Sequence, residues 1–187
     1  MKSVFIHETA IVEDGVIILE GSKVWHFAQV REGAKLGKNV ILSKSSYIDT
    51  GVVIGNNVKI QNLVSVYNGV TIGNDVFIGP HVVFTNDLYP RALGTWDIVS
   101  TVVMDGVSIG ANATILCGIS IGKHALIAAG SVVIRDVPEH GFVAGNPAQL
   151  KGYVCECARK ILPATTKPGS YSQLCSHCNR TNNIKVE

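Results

Sequence analysis

Ile54-Gly-Asn-Asn-Val-Lys-Ile60-Gln-Asn-Leu-Val-Ser-Val66-Tyr-Asn-Gly-Val-Thr-Ile72-Gly-Asn-Asp-Val-Phe-Ile78 places an aliphatic residue at every sixth position. The rule extends back to Ile6 and forward to Phe84, then returns one residue out of frame at Val103, Ile109, Ile115, Ile121, Ile127 and Val133. Four residues after an anchor the side chain is small or medium, as at Ala28, Ala34, Val40, Val58, Val76, Ala113 and Ala125. Gly often follows the anchor directly, at Gly37, Gly55, Gly73, Gly79, Gly110 and Gly122. A period of six fits neither an amphipathic helix nor a simple alternating strand. It fits short strands with a corner every sixth residue, anchors pointing inward and Gly where the chain turns tightly. Three hexads close one triangular coil, and each coil buries its aliphatic residues only by stacking on the next. The expected fold is therefore all-β, a parallel β-helix.

The bulk composition agrees with this reading. The 187 residues are 16% charged and include 19 Gly, which suits buried strands punctuated by turns. That length fits a repeat domain over residues 1–150 and a short tail over 151–187, in which a helix or a small zinc-ribbon-like unit is expected. A net charge of +2 gives no reason to expect nucleic acid as a partner, and no apolar run is long enough for membrane insertion. The first residues lack the apolar core of a signal peptide, so a cytoplasmic location is expected, with Cys as reduced thiols or metal ligands.

Between the two frames of the repeat the chain leaves the pattern from Asp87 to Thr101, thirteen residues more than an uninterrupted hexad needs. A long loop on a rigid scaffold is usually functional. Its root, Ile78-Gly-Pro-His-Val-Val-Phe-Thr-Asn86, is where chemistry is expected. Residues 18 apart should stack, giving polar columns such as His26, Lys44 and Asn62, or Arg31, Asp49, Tyr67 and Thr85. Most Asn in such columns are turn residues. Asn86 differs because the regular coil ends there. Within the loop, Tyr89, Arg91 and Trp96 suit stacking on a nucleotide or pairing with an acidic group. Trp96 and Leu93 equally suit anchoring the loop on a neighbour.

The repeat over about residues 3–150 resembles the left-handed parallel β-helix of the hexapeptide-repeat acyltransferases, and only that resemblance supplies the hand of the coil. A finer likeness rests on Val24-Trp-His-Phe27, Lys59-Ile-Gln-Asn62, Ser65-Val-Tyr67, Phe77-Ile-Gly-Pro80, Val83-Phe-Thr-Asn-Asp87 with Pro90-Arg91-Ala92, Gly110-Ala-Asn-Ala-Thr-Ile115, and Gly145-Asn-Pro-Ala148. Together these phrases are similar to bacterial N-acetyltransferases of nucleotide-linked 3-amino sugars. They most resemble those acting on UDP-2-acetamido-3-amino-2,3-dideoxyglucuronate in lipopolysaccharide O-antigen synthesis. The resemblance implies acetyl-CoA as co-substrate, a nucleotide-linked amino sugar as acceptor and a homotrimer with active sites between subunits. The alternative acceptor is a dTDP-linked 3-amino-3,6-dideoxyhexose, and the rival class is a non-catalytic β-helix scaffold. Relatives commonly carry a His in the loop as general base, and this loop has none. His81 and Asp87 are the candidate bases, and Asn86 is the candidate for orienting the amine. Base-free attack is the third option, because a free amine is already nucleophilic. His26, Arg31, Lys59, Gln61, Asn62, Tyr67, Tyr89 and Arg91 are substrate candidates. Ala111, Ala128, Ala129, Gly130, Gly145, Asn146 and Lys151 are coenzyme candidates. Lys151 is considered because Gln149 stands where relatives place Arg.

The tail holds four of the five Cys, as Cys155-Glu-Cys157 and Cys175-Ser-His-Cys178. Two close pairs are compatible with a structural zinc of four thiolates, with His177 able to replace a Cys. The other reading is a flexible tail with unligated thiols. Cys117 stands alone in the repeat.

Overall fold

The structure, a computed structural model, describes residues 3–186. Among them all regular structure is strand, and no helix is long and apolar enough to cross a membrane. Short strands of two or three residues run from β1 (Phe5–Ile6) to β20 (Val132–Val133). Every third strand pairs in parallel, 18 residues apart: Phe5 with Lys23, Ile11 with Gln29, Ile17 with Lys35. Three stacked parallel sheets result, the faces of a triangular prism. We call them the first, second and third faces, after the order in which the chain visits them. At the loop the register jumps from 18 residues (Val53 with Thr71) to 31 (Val70 with Thr101). The thirteen extra residues leave the prism entirely, and the coil resumes as though uninterrupted.

The core is built as the period requires. Anchors from Val24 to Val133 are at most 2% exposed, and the residue four later fills the remaining interior. Where that residue is Ser, its hydroxyl is satisfied: Ser22 donates to the Gly37 carbonyl at 2.9 Å and accepts from the Val40 N–H at 3.0 Å. In the first coil Ile6 is 47% exposed, with no coil beneath it among the described residues.

The corners correct one expectation. Left-handed backbone falls on the third residue after the anchor, as at Gly51, Asn57, Leu63, Gly69, Asp75 and His81. The Gly directly after an anchor has ordinary backbone and is required for a different reason. A Cβ on Gly55 would stand 2.6 Å from the Gly73 carbonyl oxygen of the next coil. Those glycines let coils approach, and they do not turn the chain.

Past β20 the pattern changes. β21 (Gly141–Gly145) adds to the first face, parallel to β19 (Leu126–Ile127). β22 (Ala148–Val154) folds back antiparallel on it across residue 150, and β23 (Lys160–Pro163) pairs with β22. β24 (Gly169–Leu174) and β25 (Thr181–Val186) form a separate hairpin. The tail's regular structure is thus strand joined by turns, and the helix allowed for residues 151–187 does not form among those described. The tail's polar strand sequences find antiparallel partners instead of a helical face. His140 ties tail to prism, accepting from the Val154 N–H (2.8 Å) and donating from Nδ1 to the Val154 carbonyl (2.9 Å). Burial lowers the pKa of this imidazole, which suits its neutral, Nδ1-protonated form.

Candidate active site

A cleft of about 500 Å³ opens at the loop root. Tyr67, Val83 and Thr85 line its prism side, Asn86 and Asp87 its base, and Pro90, Arg91 and Trp96 its loop side. It lies at the edge where the second face passes to the third. Two backbone bonds close the loop beneath it: the Val99 N–H donates to the Asn86 carbonyl (2.9 Å), and the Thr101 N–H to the Gly69 carbonyl (3.0 Å). Gly69 lies at φ +93, and a Cβ there would meet Ile98 Cγ2 at 2.8 Å. The loop therefore returns flush against a corner that only glycine fits well.

The cleft residues are held unequally. Asp87 Oδ1 accepts from the Tyr89 N–H at 2.8 Å, which shapes the first turn of the loop. Arg91 donates to the adjacent Pro90 carbonyl at 2.8 Å. Among the described residues the Asn86 carboxamide has no hydrogen-bond partner, so its donors and its acceptor are available to a ligand. Tyr67 packs against Tyr47 (ring centroids 5.7 Å apart) on the same edge. Arg31, one coil below Tyr47, is already neutralised. Its Nε lies 3.0 Å from Glu13, and its Nη1 donates to the Tyr47 hydroxyl (3.4 Å), which donates to Asp49 (3.0 Å). The Tyr47 bond first, and then Glu13, raise the Arg31 pKa further.

The other expected residues stand elsewhere. His26, Gln61, Asn62 and His81 lie along the edge between the first and second faces, and Lys59 projects from the first face between Ile41 and Phe77. His26 stacks on His7, ring centroids 3.6 Å apart. His81 is an exposed corner residue at φ 61, its N–H donating to the Asn62 carbonyl (3.0 Å). Expected near the loop root, it sits instead at the far end of the strand that leads there, roughly 15 Å from Asn86 at the usual rise per residue. The coenzyme candidates continue that first–second edge upward. Gly130 donates to Ala111 (2.8 Å), Ala128 donates to Val143 (2.9 Å), and Ala129 is exposed beside them. The Gly145 N–H lies 3.3 Å from Ser131 Oγ, and Asn146 is exposed in the turn that follows. Lys151 occupies the register shift between β21 and β22 and is exposed, so the irregularity re-aims it toward solvent.

One chain therefore brings together Tyr67, Asn86, Asp87 and Arg91, with Tyr89 on the adjoining loop. Arg31 stands lower on the same edge, bound to Glu13 and Tyr47, Lys59 stands on the first face, and His26, Gln61, Asn62 and His81 stand on another edge. Thr85 and Pro90 also line the cleft; the sequence marked Thr85 only as a column residue and Pro90 only within a family phrase, and neither as a site residue. The third edge is structural: Asn56 Oδ1 accepts from the Lys38 N–H, Asn74 Oδ1 from the Asn56 N–H, and Asp105 Oδ1 from the Asn74 N–H, at 2.7–2.9 Å.

Comparison with known proteins agrees with the coil. The model for the bacterial transferase hexapeptide (six repeats) matches residues 51–86 and 100–135, and that for the hexapeptide repeat of succinyl-transferase matches 33–68. A hexapeptide-repeat containing acetyltransferase from Vibrio cholerae O1 biovar eltor, solved with acetyl coenzyme A, is 31% identical over 65% of this chain and 70% of that one (TM-score 0.57). The chain belongs to the hexapeptide-repeat acyltransferase family, and its coil is that family's left-handed parallel β-helix. The dTDP-3-amino-3,6-dideoxy-alpha-D-galactopyranose 3-N-acetyltransferase of Aneurinibacillus thermoaerophilus is 46% identical over 61 residues, 33% of this chain and 32% of that enzyme. The acetyltransferase domain of PglB from Neisseria gonorrhoeae FA1090 shares the fold at 24% identity, covering 79% of this chain and 57% of that one (TM-score 0.52). The chain spans less than half the length of the curated relatives it matches.

Proposed function

We propose that this chain transfers acetyl from acetyl-CoA to the 3-amino group of a nucleotide-linked amino sugar, in the cytoplasm, as a homotrimer. The observation that carries this reading is the cleft at the loop root, where an unpartnered Asn86 carboxamide stands beside aromatic and cationic loop residues. Asn86 accepts a hydrogen bond from the acceptor amine and aims its lone pair at the thioester carbonyl. Attack forms the new C–N bond, N–H donors in the cleft hold the oxyanion, and collapse expels the coenzyme thiolate. The proton left on nitrogen passes to that thiolate or to water, so no side-chain base is required. A base supplied by His81 would have to come from a neighbouring copy, because in its own chain it stands at the other edge. The trimer reading has the same support: cleft residues occupy one edge of the prism and coenzyme candidates another, and adjacent copies in a closed ring can bring the two together. Leu93 and Trp96, 90% and 67% exposed on the loop, suit burial against that neighbour.

The acceptor we favour is UDP-2-acetamido-3-amino-2,3-dideoxyglucuronate, on the phrases spread through the repeat and loop, with O-antigen synthesis as its setting. A dTDP-linked 3-amino-3,6-dideoxyhexose is the second reading, supported by the 46% identity to the Aneurinibacillus enzyme. Thiol release from acetyl-CoA with each sugar separates them. Turnover with the UDP-linked uronate and not the dTDP-linked sugar is expected. The reverse selects the second reading, and no transfer to either removes the sugar assignment. A thermal shift with acetyl-CoA tests the scaffold alternative, which predicts no binding.

A further inference from the structure

The two cysteine motifs, seventeen residues apart in sequence, come together in space. Sγ of Cys155 lies 3.5 Å from that of Cys178, and Sγ of Cys157 lies 3.7 Å from that of Cys175. All four sulfurs fall within 4.8 Å of one another. Four thiolates at about 2.3 Å from a tetrahedral zinc stand about 3.8 Å apart. A disulfide requires about 2.05 Å and would draw the sulfurs into two tight pairs. The arrangement is a four-cornered cage, and the exposed His177 is not one of its corners.

The backbone explains how unequal spacings reach one point. The Cys155 N–H donates to the Arg159 carbonyl (2.8 Å), and the Ala158 N–H returns to the Cys155 carbonyl (2.7 Å), with Ala158 at φ 65. In the second motif the Cys175 N–H donates to Arg180 (2.9 Å) and the Asn179 N–H returns to Cys175 (2.9 Å), with Asn179 at φ 58. The turns are the same device, the first one residue shorter. That is why one intervening residue suffices between Cys155 and Cys157 where two separate Cys175 and Cys178. Asn182, 3% exposed, donates from Nδ2 to Cys155 Sγ at 3.3 Å, a bond that favours a charged sulfur.

We propose that Cys155, Cys157, Cys175 and Cys178 hold one structural zinc ion that locks the tail over the C-terminal end of the prism. The tail's own apolar cluster is small: among the described residues it centres on Tyr153, Ile184 and Val186, with Val154, Cys155 and Cys175 also buried. A unit this small ordinarily needs a metal or disulfides. On binding, each thiol gives its proton to solvent and a thiolate–zinc bond replaces it. With all four positions filled by protein, the ion has no site for substrate and serves structure alone. The fold of the prism does not depend on it.

Elemental analysis of the full chain, purified under reducing conditions and reloaded with Zn2+, should find one zinc per chain. The double variant Cys175→Ser/Cys178→Ser should hold less than a tenth of that while keeping the thermal shift with acetyl-CoA. Replacing zinc by Co2+ in the wild-type chain should produce the strong near-ultraviolet sulfur-to-cobalt band and the visible absorption of a tetrahedral four-thiolate site. This readout stands even if the double variant fails to fold. Less than a tenth of an equivalent of zinc after reloading, a six-coordinate cobalt spectrum, or a mass lower by four hydrogens (two disulfides) would each overturn the proposal.

Discussion

Asn86 and Gly69 are the two residues on which the cleft turns, for opposite reasons. Asn86 offers an unpaired carboxamide at the point where the loop leaves the coil. Asn86→Ala should lower kcat by about 10²-fold, the usual cost of losing one polar contact made in the transition state, with Tm unchanged. Steady-state kinetics beside a thermal melt checks this, and wild-type turnover in the variant would remove Asn86 from the mechanism. Gly69 offers only the absence of a side chain. Gly69→Ala puts a Cβ at left-handed φ and against Ile98, so it should destabilise the chain by about 1–2 kcal/mol. It should also raise the KM for the sugar by loosening the loop, as chemical denaturation and kinetics on one sample would reveal. Only the structure could assign that role, because Gly69 looks like every other corner glycine in the repeat.

Among the elements, the third edge shows how a polar column ties successive coils together. Lys38, Asn56, Asn74 and Asp105 link successive coils through side-chain oxygens and backbone N–H groups, so the turns help each other. The Asn74 N–H is the largest influence holding the Asp105 carboxyl below its ordinary value of 3.8. The folded state therefore favours the ionised form. Its contribution is complete above the unfolded pKa and is lost as pH falls through the lower, folded one. Asp105→Asn keeps an acceptor oxygen and removes the titration. The Tm advantage of wild type over this variant should shrink as pH is taken from neutral to below the ordinary carboxylate range. A difference in melting curves that stays constant with pH would exclude the carboxylate as its source.

For the whole molecule, the decisive feature is that the candidate residues divide between edges. The cleft edge holds Tyr67, Asn86, Asp87 and Arg91, while His26, Asn62, His81, Ala111 and Gly130 line another. Light scattering on the purified chain should give the mass of three copies. Leu93→Asp with Trp96→Ala should lower that mass or weaken the assembly on dilution. It should cut activity with it, since both side chains are exposed on their own chain. A monomer with full activity would refute a shared site.

The sixfold period by itself determined the prism, the inward anchors and the place and size of the insertion, because a repeat stacked on itself repeats its local rules at every coil. The left-handed corners also keep the period, on the third residue after most anchors, although the sequence pattern points to the Gly directly after the anchor as the tight turn. The sequence also marked the two cysteine pairs as chemistry. The tertiary structure alone decided that a cleft opens between the loop and Tyr67, that the loop returns against Gly69, and that four sulfurs from unequal turns meet. Those outcomes depend on how distant segments pack, and no local spacing encodes the path by which a loop or a tail returns.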